Sequence, residues 1–329
     1  MNFWKIGLLS VIAAASLSAG DFKPAVVFDL GGKFDKSFNE GVYNGLEKFK
    51  KETGINYRGF EVTNATQREQ AIRKMAKKGS NLVLGIGFAQ GPAIEKVAGE
   101  FPDTKFGIID MVVNKPNVQS IVFKEHEGSF LVGLLAAMAS KSHKVGFIGG
   151  MDIPLIRKFA CGYTQGVKYT DPKAEVIQNM TGSTPSAWNN PSRGGELAKG
   201  QFDRGVDVVF AAAGGTGIGV YQAAKDAGKL AIGVDSNQNY LQPGTILTSM
   251  VKRVDVAAYK LFKDGKAGTF KGGIQALGLA EGGVDWALDK YNEKLITPEM
   301  KKAVDQAKAD IISGKIKVHD YMSDNSCKY

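Results

Sequence analysis

Cysteine and histidine are scarce in this chain, with two of the first and three of the second in 329 residues. A pair of cysteines, Cys161 and Cys327, cannot build a disulfide framework, and the pair has no metal-site spacing. Cys161 stands among helix formers and reads as a small buried residue, with one Cys161–Cys327 disulfide as the alternative. His126, His143 and His319 are scattered with no i, i+4 pair, so no metal site is expected. Beyond the N-terminal segment, no run reaches the roughly 20 apolar residues that a membrane-spanning helix needs. No activated nucleophile or acid–base set can be picked out, so no catalytic residue and no enzymatic activity are expected. No helix-turn-helix opens the chain, which argues against a nucleic-acid partner. The formal charge of +9 does not change this, because the lysines at 48–51, 77–78 and 301–302 read as solvated outer helix faces.

The first twenty residues carry Lys5, an apolar run over 6–15, then the small residues Ser16, Ser18, Ala19 and Gly20. That is the order of a signal peptide. A mature protein beginning near Asp21 is expected in the periplasm. No cysteine follows the apolar run to take a lipid.

The chain exceeds the usual ceiling for one hydrophobic core, so two lobes are expected. Short buried runs alternate with helical spacing: strands at 25–30, 57–62, 82–86, 106–109 and 121–123, helices at 39–53, 66–78 and 92–100. The grammar restarts with a helix at 128–139 and strands at 144–148, 175–179, 206–212 and 230–234. This is the signature of parallel β-α-β units with right-handed crossovers. The fold class is α/β, with two doubly wound parallel-sheet lobes joined by a hinge. The division expected is 21–124 plus 246–273 for the first lobe and 125–245 plus 274–329 for the second, with crossings near Glu125, Gln242 and Ile274. The amphipathic tail helix at 297–313 reads as packing.

Open sheets present ligands at the carboxyl ends of their strands, so the polar loops there are the places to search. The first, residues 31–40, joins glycines to Asp35, Ser37 and Asn39, with Phe34 and Phe38 as aromatic faces. Such a mixture suits a polar, ring-bearing ligand; capping of the following helix by Ser37 or Asn39 is the structural alternative. The second loop, residues 182–191, carries Trp188, placed to face Phe38 across a cleft. Asp110 and Asp235 each end a buried strand, one per lobe, where a carboxylate can accept hydroxyl hydrogen bonds from a ribose or cap a helix. Lys252 can reach a ligand oxygen or pair with an acid. Gly214 opens a glycine-rich turn that brings backbone N–H groups to a ligand. That turn lacks the third glycine of the dinucleotide fingerprint, since Val220 occupies its place, and no G-K-[ST] follows, so no cofactor is expected.

Several segments together resemble one known family. They are Asp35-Lys36-Ser37-Phe38-Asn39, Phe101-Pro102-Asp103 with 106–110, the run 123–133 (FKEHEGSFLVG), and the stretches 144–151, 214–217 and 233–236. They are similar to the basic membrane protein family of ABC-transporter substrate-binding proteins, the group containing purine nucleoside receptors. The resemblance implies a type I periplasmic-binding fold whose lobes close by hinge motion. It also implies a purine stacked between Phe38 and Trp188, polar contacts from Asp110, Asp235 and Lys252, and Asn39 addressing the base. Trp188 stands where the family commonly has phenylalanine. The partners implied are a small-molecule ligand and an ABC permease in the inner membrane, served by a monomer. A sensor docking on a membrane receptor, or an exported nucleoside- or sugar-processing enzyme, are the rival readings.

Overall fold

The computed structural model describes residues 22–329; the expected signal segment lies outside them. Strand β1, Pro24–Phe28, is buried at every position, as a central parallel strand must be when helices cover both faces of its sheet. Helix α1 (Phe38–Thr53) buries Val42, Leu46 and Phe49 at helical spacing and ends on Gly54, whose φ of 72° makes the left-handed C-cap that glycine adopts without steric cost. The first lobe continues through β2 (Arg58–Glu61), α2 (Gln67–Lys77), β3 (Leu82–Ile86), α3 (Gly91–Glu100), β4 (Lys105–Ile109) and β5 (Val118–Phe123).

The chain then enters α4 (Glu125–Ala139) and builds the second lobe from β6 (Lys144–Met151), α5 (Pro154–Thr170), β7 (Glu175–Gly182), α6 (Pro191–Asp203), β8 (Val208–Ala212), α7 (Gly217–Asp226), β9 (Leu230–Asp235) and β10 (Ile246–Lys252). It returns as α8 (Val254–Ala267) and β11 (Gly273–Leu277), and closes with β12 (Val284–Trp286) and α9 (Pro298–Ile312). The first sheet has the order β11-β5-β4-β3-β1-β2 and the second β12-β10-β9-β8-β6-β7. Pairing is parallel except for β10 with β12. The two orders correspond strand for strand, so β4 and β9 occupy equivalent places.

The lobe boundaries differ from the sequence expectation at the second and third crossings. The sequence pattern assigns residues 246–252 to the first lobe, but β10 pairs with β9 in the second sheet, where Ile246, Leu247 and Met250 are buried. The chain crosses at Arg253 instead of near Gln242. Helix α8 then packs on α1, so closely that a Cβ on Gly45 would lie 2.1 Å from the Asp255 carbonyl oxygen. Strand β11 pairs with β5, which moves the third crossing past Leu277. A short apolar strand following a polar loop has no local signal naming its sheet; partner strands decide it.

Beyond its polar first turns helix α4 is apolar and buried from Phe130 to Ala136, as expected of a helix packed all round. It meets α5 through small residues: a Cβ on Gly162 would stand 2.4 Å from the His126 carbonyl oxygen. This close approach sets the N-terminus of α4, with Glu125, beside the middle of the first turns of α5. Cys161, buried as expected, is also joined to Cys327, with Cα atoms 5.5 Å apart, so the disulfide alternative describes the molecule.

Candidate ligand-binding site

Between β1 and α1 the chain turns through Gly31 and Gly32 at positive φ. Asp35 then organises the loop. Its carboxylate accepts from the backbone N–H of Ser37 (2.9 Å), Asn39 (3.0 Å) and Glu40 (3.1 Å) and from the Asn39 side-chain amide at 3.1 Å. The helix cap expected of Ser37 or Asn39 is therefore supplied by Asp35, satisfying N–H groups that a helix start leaves without partners. Burial raises the Asp35 pKa, and these four donors work against the rise. Because its Nδ2 is committed to Asp35, the Asn39 side chain is left with a buried Oδ1 that has no hydrogen-bond partner.

Ser37 faces the other lobe. Its hydroxyl donates to Asp235 Oδ2 at 2.6 Å, while Ser236 Oγ donates to the Ser37 carbonyl at 2.8 Å and Gln238 Nε2 to the Lys36 carbonyl at 2.9 Å. These bonds tie the lobes together in a closed arrangement.

Asp110 and Asp235 follow or end the equivalent strands β4 and β9, and both sit in the left-handed region, at φ 69° and 62°. Non-glycine residues rarely adopt it, and such strain concentrates at functional sites. Asp110 Oδ2 accepts from Lys252 Nζ at 2.7 Å, whereas its Oδ1 is buried without a partner. Burial pushes both carboxyls up to about 6, with the Lys252 cation working against it.

Lys252, 2% exposed, also lies 3.0 Å from Glu125 Oε1. The rings of Phe123, Phe38 and Phe159 surround its ammonium at 5.1, 5.2 and 5.6 Å, each a favourable cation–π distance. Burial works to lower the Lys252 pKa, but Asp110, Glu125 and Asp235 outweigh it and keep the group cationic. Glu125 is sandwiched between Lys252 and Lys158, the latter 3.0 Å from its Oε2. Burial works to raise its pKa, yet the two ammonium groups hold it below the ordinary range.

The cleft encloses ≈ 650 Å³ of non-atom space, part of it open to solvent, and Asp35, Phe38, Asn39, Asp110, Trp188, Gly214, Asp235 and Lys252 all line it. Ser37 and Phe34 lie off its wall, Phe34 being 60% exposed. Trp188 is seated on glycine: a Cβ on Gly150 would come 2.1 Å from its ring, and Gly214, at φ 56°, lies behind it. Sequence reasoning missed Asp29, Phe88, Phe159 and the aliphatic wall of Leu155 and Ile156. Asp29 follows its strand much as Asp110 does, a signal that could have found it. Glu125 lay in a quoted motif, but only the fold shows it against Lys252.

Among the described residues, no group of three or more His, Cys, Asp or Glu could hold a metal ion, and no helix is long and apolar enough to cross a membrane. The family model described as "Bmp: ABC transporter substrate-binding protein PnrA-like" matches residues 22–321. The chain belongs to this family. Bmp-family proteins are extracytoplasmic solute-binding components of ABC transporters, partnered by a permease and built to bind a small molecule instead of transforming it. The chain is 35% identical to the ABC transporter nucleoside-binding protein BmpA of Lactococcus lactis subsp. cremoris, covering 91% of this chain and 89% of that one. It is 36% identical to an uncharacterized lipoprotein of Pyrococcus horikoshii over 81% of this chain and 69% of that one. Among solved structures, an ABC transporter solute-binding protein from Aeropyrum pernix superposes with a TM-score of 0.84 at 30% identity, covering 91% and 93% of the two chains. The Bmp-family protein thus has the type I periplasmic-binding fold that the sequence resemblance implied.

Proposed function

We propose that this Bmp-family protein captures a purine nucleoside in the cleft between its lobes and delivers it to an ABC permease in the inner membrane. The observation that carries the reading is the pair of buried acceptors without partners, Asp110 Oδ1 and Asn39 Oδ1, in a cavity that Phe38 and Trp188 line from opposite lobes. Buried polar atoms are rarely left unpaired, so the site asks for a ligand that donates hydrogen bonds. A base supplies donors to Asn39 and a flat face to each ring; ribose hydroxyls supply donors to Asp110 and Asp235.

The charges on the wall argue for a nucleoside over a nucleotide. Asp29, Asp35, Asp110 and Asp235 line the cavity, with Lys252 as the one lining cation among the described residues; that cation is already paired with two carboxylates, and Asp29 is paired with Arg68 behind the wall. A phosphate would meet like charge, a placement that costs several kcal/mol. The L. lactis relative, named as nucleoside-binding, supports the same choice. The reading further takes the protein as a monomer exported through residues 1–20 into the periplasm, without catalytic activity.

Isothermal titration of refolded protein with adenosine, guanosine, inosine, uridine and ribose tests it. Micromolar or tighter binding of purine nucleosides, lost in Asp235→Ala, is the expected result, with the nucleoside recovered unchanged. Absence of binding to all five removes the nucleoside reading.

A further inference from the structure

Three residues on one face of α5, spaced i, i+3 and i+7, grip the C-terminal tail. Cys161 is joined to Cys327. Gln165 holds His319 at both ends, accepting from its backbone N–H at 2.7 Å and donating to its carbonyl at 2.9 Å. Lys158 Nζ lies 3.5 Å from Asp320 Oδ2. Lys158 is 6% exposed, and it also donates to the Phe123 carbonyl at 2.7 Å, where the chain leaves the first lobe.

From Asp320 the charges alternate without a break into the cleft. Lys158 meets Glu125 at 3.0 Å, Glu125 meets Lys252 at 3.0 Å, and Lys252 meets Asp110 at 2.7 Å. Glu125 and Lys252 each stand at a crossing between the lobes, so the series runs along the hinge. A buried charge is tolerable only where its partners hold it. The position of each member therefore depends on its neighbours, up to Asp110, which lines the cavity and whose other oxygen is buried without a partner.

We propose that the C-terminal tail is a positioning clamp for the ligand-site cation, acting from Asp320 through Lys158 and Glu125 on Lys252. The disulfide is the anchor that keeps Asp320 against Lys158. Without the Asp320 charge, Lys158 draws Glu125 toward itself. Lys252 then settles on Asp110 alone and pulls that carboxylate away from the ligand. Asp320, Lys158 and Glu125 are positioning residues; none of them is assigned a ligand contact.

The ligand arm of the test rests on the nucleoside reading, with inosine and adenosine as probes. Asp320→Asn and the double variant Cys161→Ser/Cys327→Ser are each expected to weaken binding about fivefold, at the low end of measured couplings between sites. The triple variant is expected to lose no more than either, because both changes remove the same contact. Asp320 is one-third exposed on its side chain, so its isosteric variant keeps the fold. The second arm needs no ligand: amide hydrogen exchange at residues 124–127 and 251–253 should rise in both variants. A merely structural tail would lower the melting temperature and leave these amides and the affinity alone. Unchanged affinity and exchange in Asp320→Asn, or losses that multiply in the triple variant, overturn the proposal. If the wild type binds neither probe, the nucleoside reading falls; the exchange arm then decides the clamp by itself, rising exchange supporting it and unchanged exchange overturning it.

Discussion

Lys252 and Asp110 join at 2.7 Å from different sheets, the lysine ending β10 and the aspartate following β4. The cleft thus has an ion pair as its floor, with a carboxylate on one side and Glu125 on the other holding the cation.

Replacing Lys252 by methionine leaves Asp110 buried without its cation and Glu125 with Lys158 as its remaining counterion. Breaking a buried pair in this way costs about 3–5 kcal/mol. Thermal unfolding should show a loss of that order, and nucleoside titration should show none bound. The double variant Lys252→Met/Asp110→Asn should recover part of the stability while leaving binding lost.

Acid should weaken capture through the two strand-end carboxylates. Both titrate near 6 in the folded protein against an ordinary 3.8, and ribose hydroxyls donate best to the ionised forms. Affinity measured by titration at fixed ionic strength should be level above pH 7 and fall as pH drops through 6. Stability of the unliganded protein carries the opposite contribution. Between pH 4 and 6 the folded state binds more protons at these groups than the unfolded state, so their contribution falls as pH rises through that window.

Trp188→Ala should weaken purine nucleoside binding about 5- to 150-fold, the equivalent of the ~1–3 kcal/mol per stacked base measured in comparable truncations. Ribose binding, if measurable, should change little. Gly150→Ala offers an independent check, since its methyl group would stand 2.1 Å from the Trp188 ring and must displace it. A Gly150→Ala protein with wild-type affinity would show that the tryptophan does not stack on the base.

Ser37→Ala removes the hydrogen bond that Ser37, itself off the cavity wall, makes across the lobes to Asp235. Bonds to charged groups contribute about 1.5–3 kcal/mol, and here the loss falls on the closed state. Small-angle scattering with saturating nucleoside should show a larger fraction of open molecules, and the dissociation rate should rise more than the association rate falls.

Much of this organisation was legible in local patterns. Strand β3 was expected at 82–86 and is found at Leu82–Ile86; the expected tail helix at 297–313 is found at Pro298–Ile312. Runs of buried aliphatics, helical spacing and glycine stops are short-range features, and they also place polar loops at strand ends. Asp110 and Asp235 were found in this way, as acids ending apolar runs. The role of Asp35 was not: a helix start announces that N–H groups need an acceptor, but several nearby side chains could serve, and packing of the loop selected one.

By itself the amino-acid order determined the α/β class, the two lobes, the family resemblance and eight of the residues that line the cleft. These rest on interactions within about ten residues of chain or on motifs carried in contiguous segments. Only the tertiary structure decided that β10 belongs to the second sheet, that Cys161 meets Cys327, that Ser37 reaches the opposite lobe, and that Glu125 lies between Lys252 and Lys158. The last three of these join groups far apart in sequence, 166 residues in the case of the disulfide. Such contacts depend on how whole strands and helices stack, which no local pattern encodes.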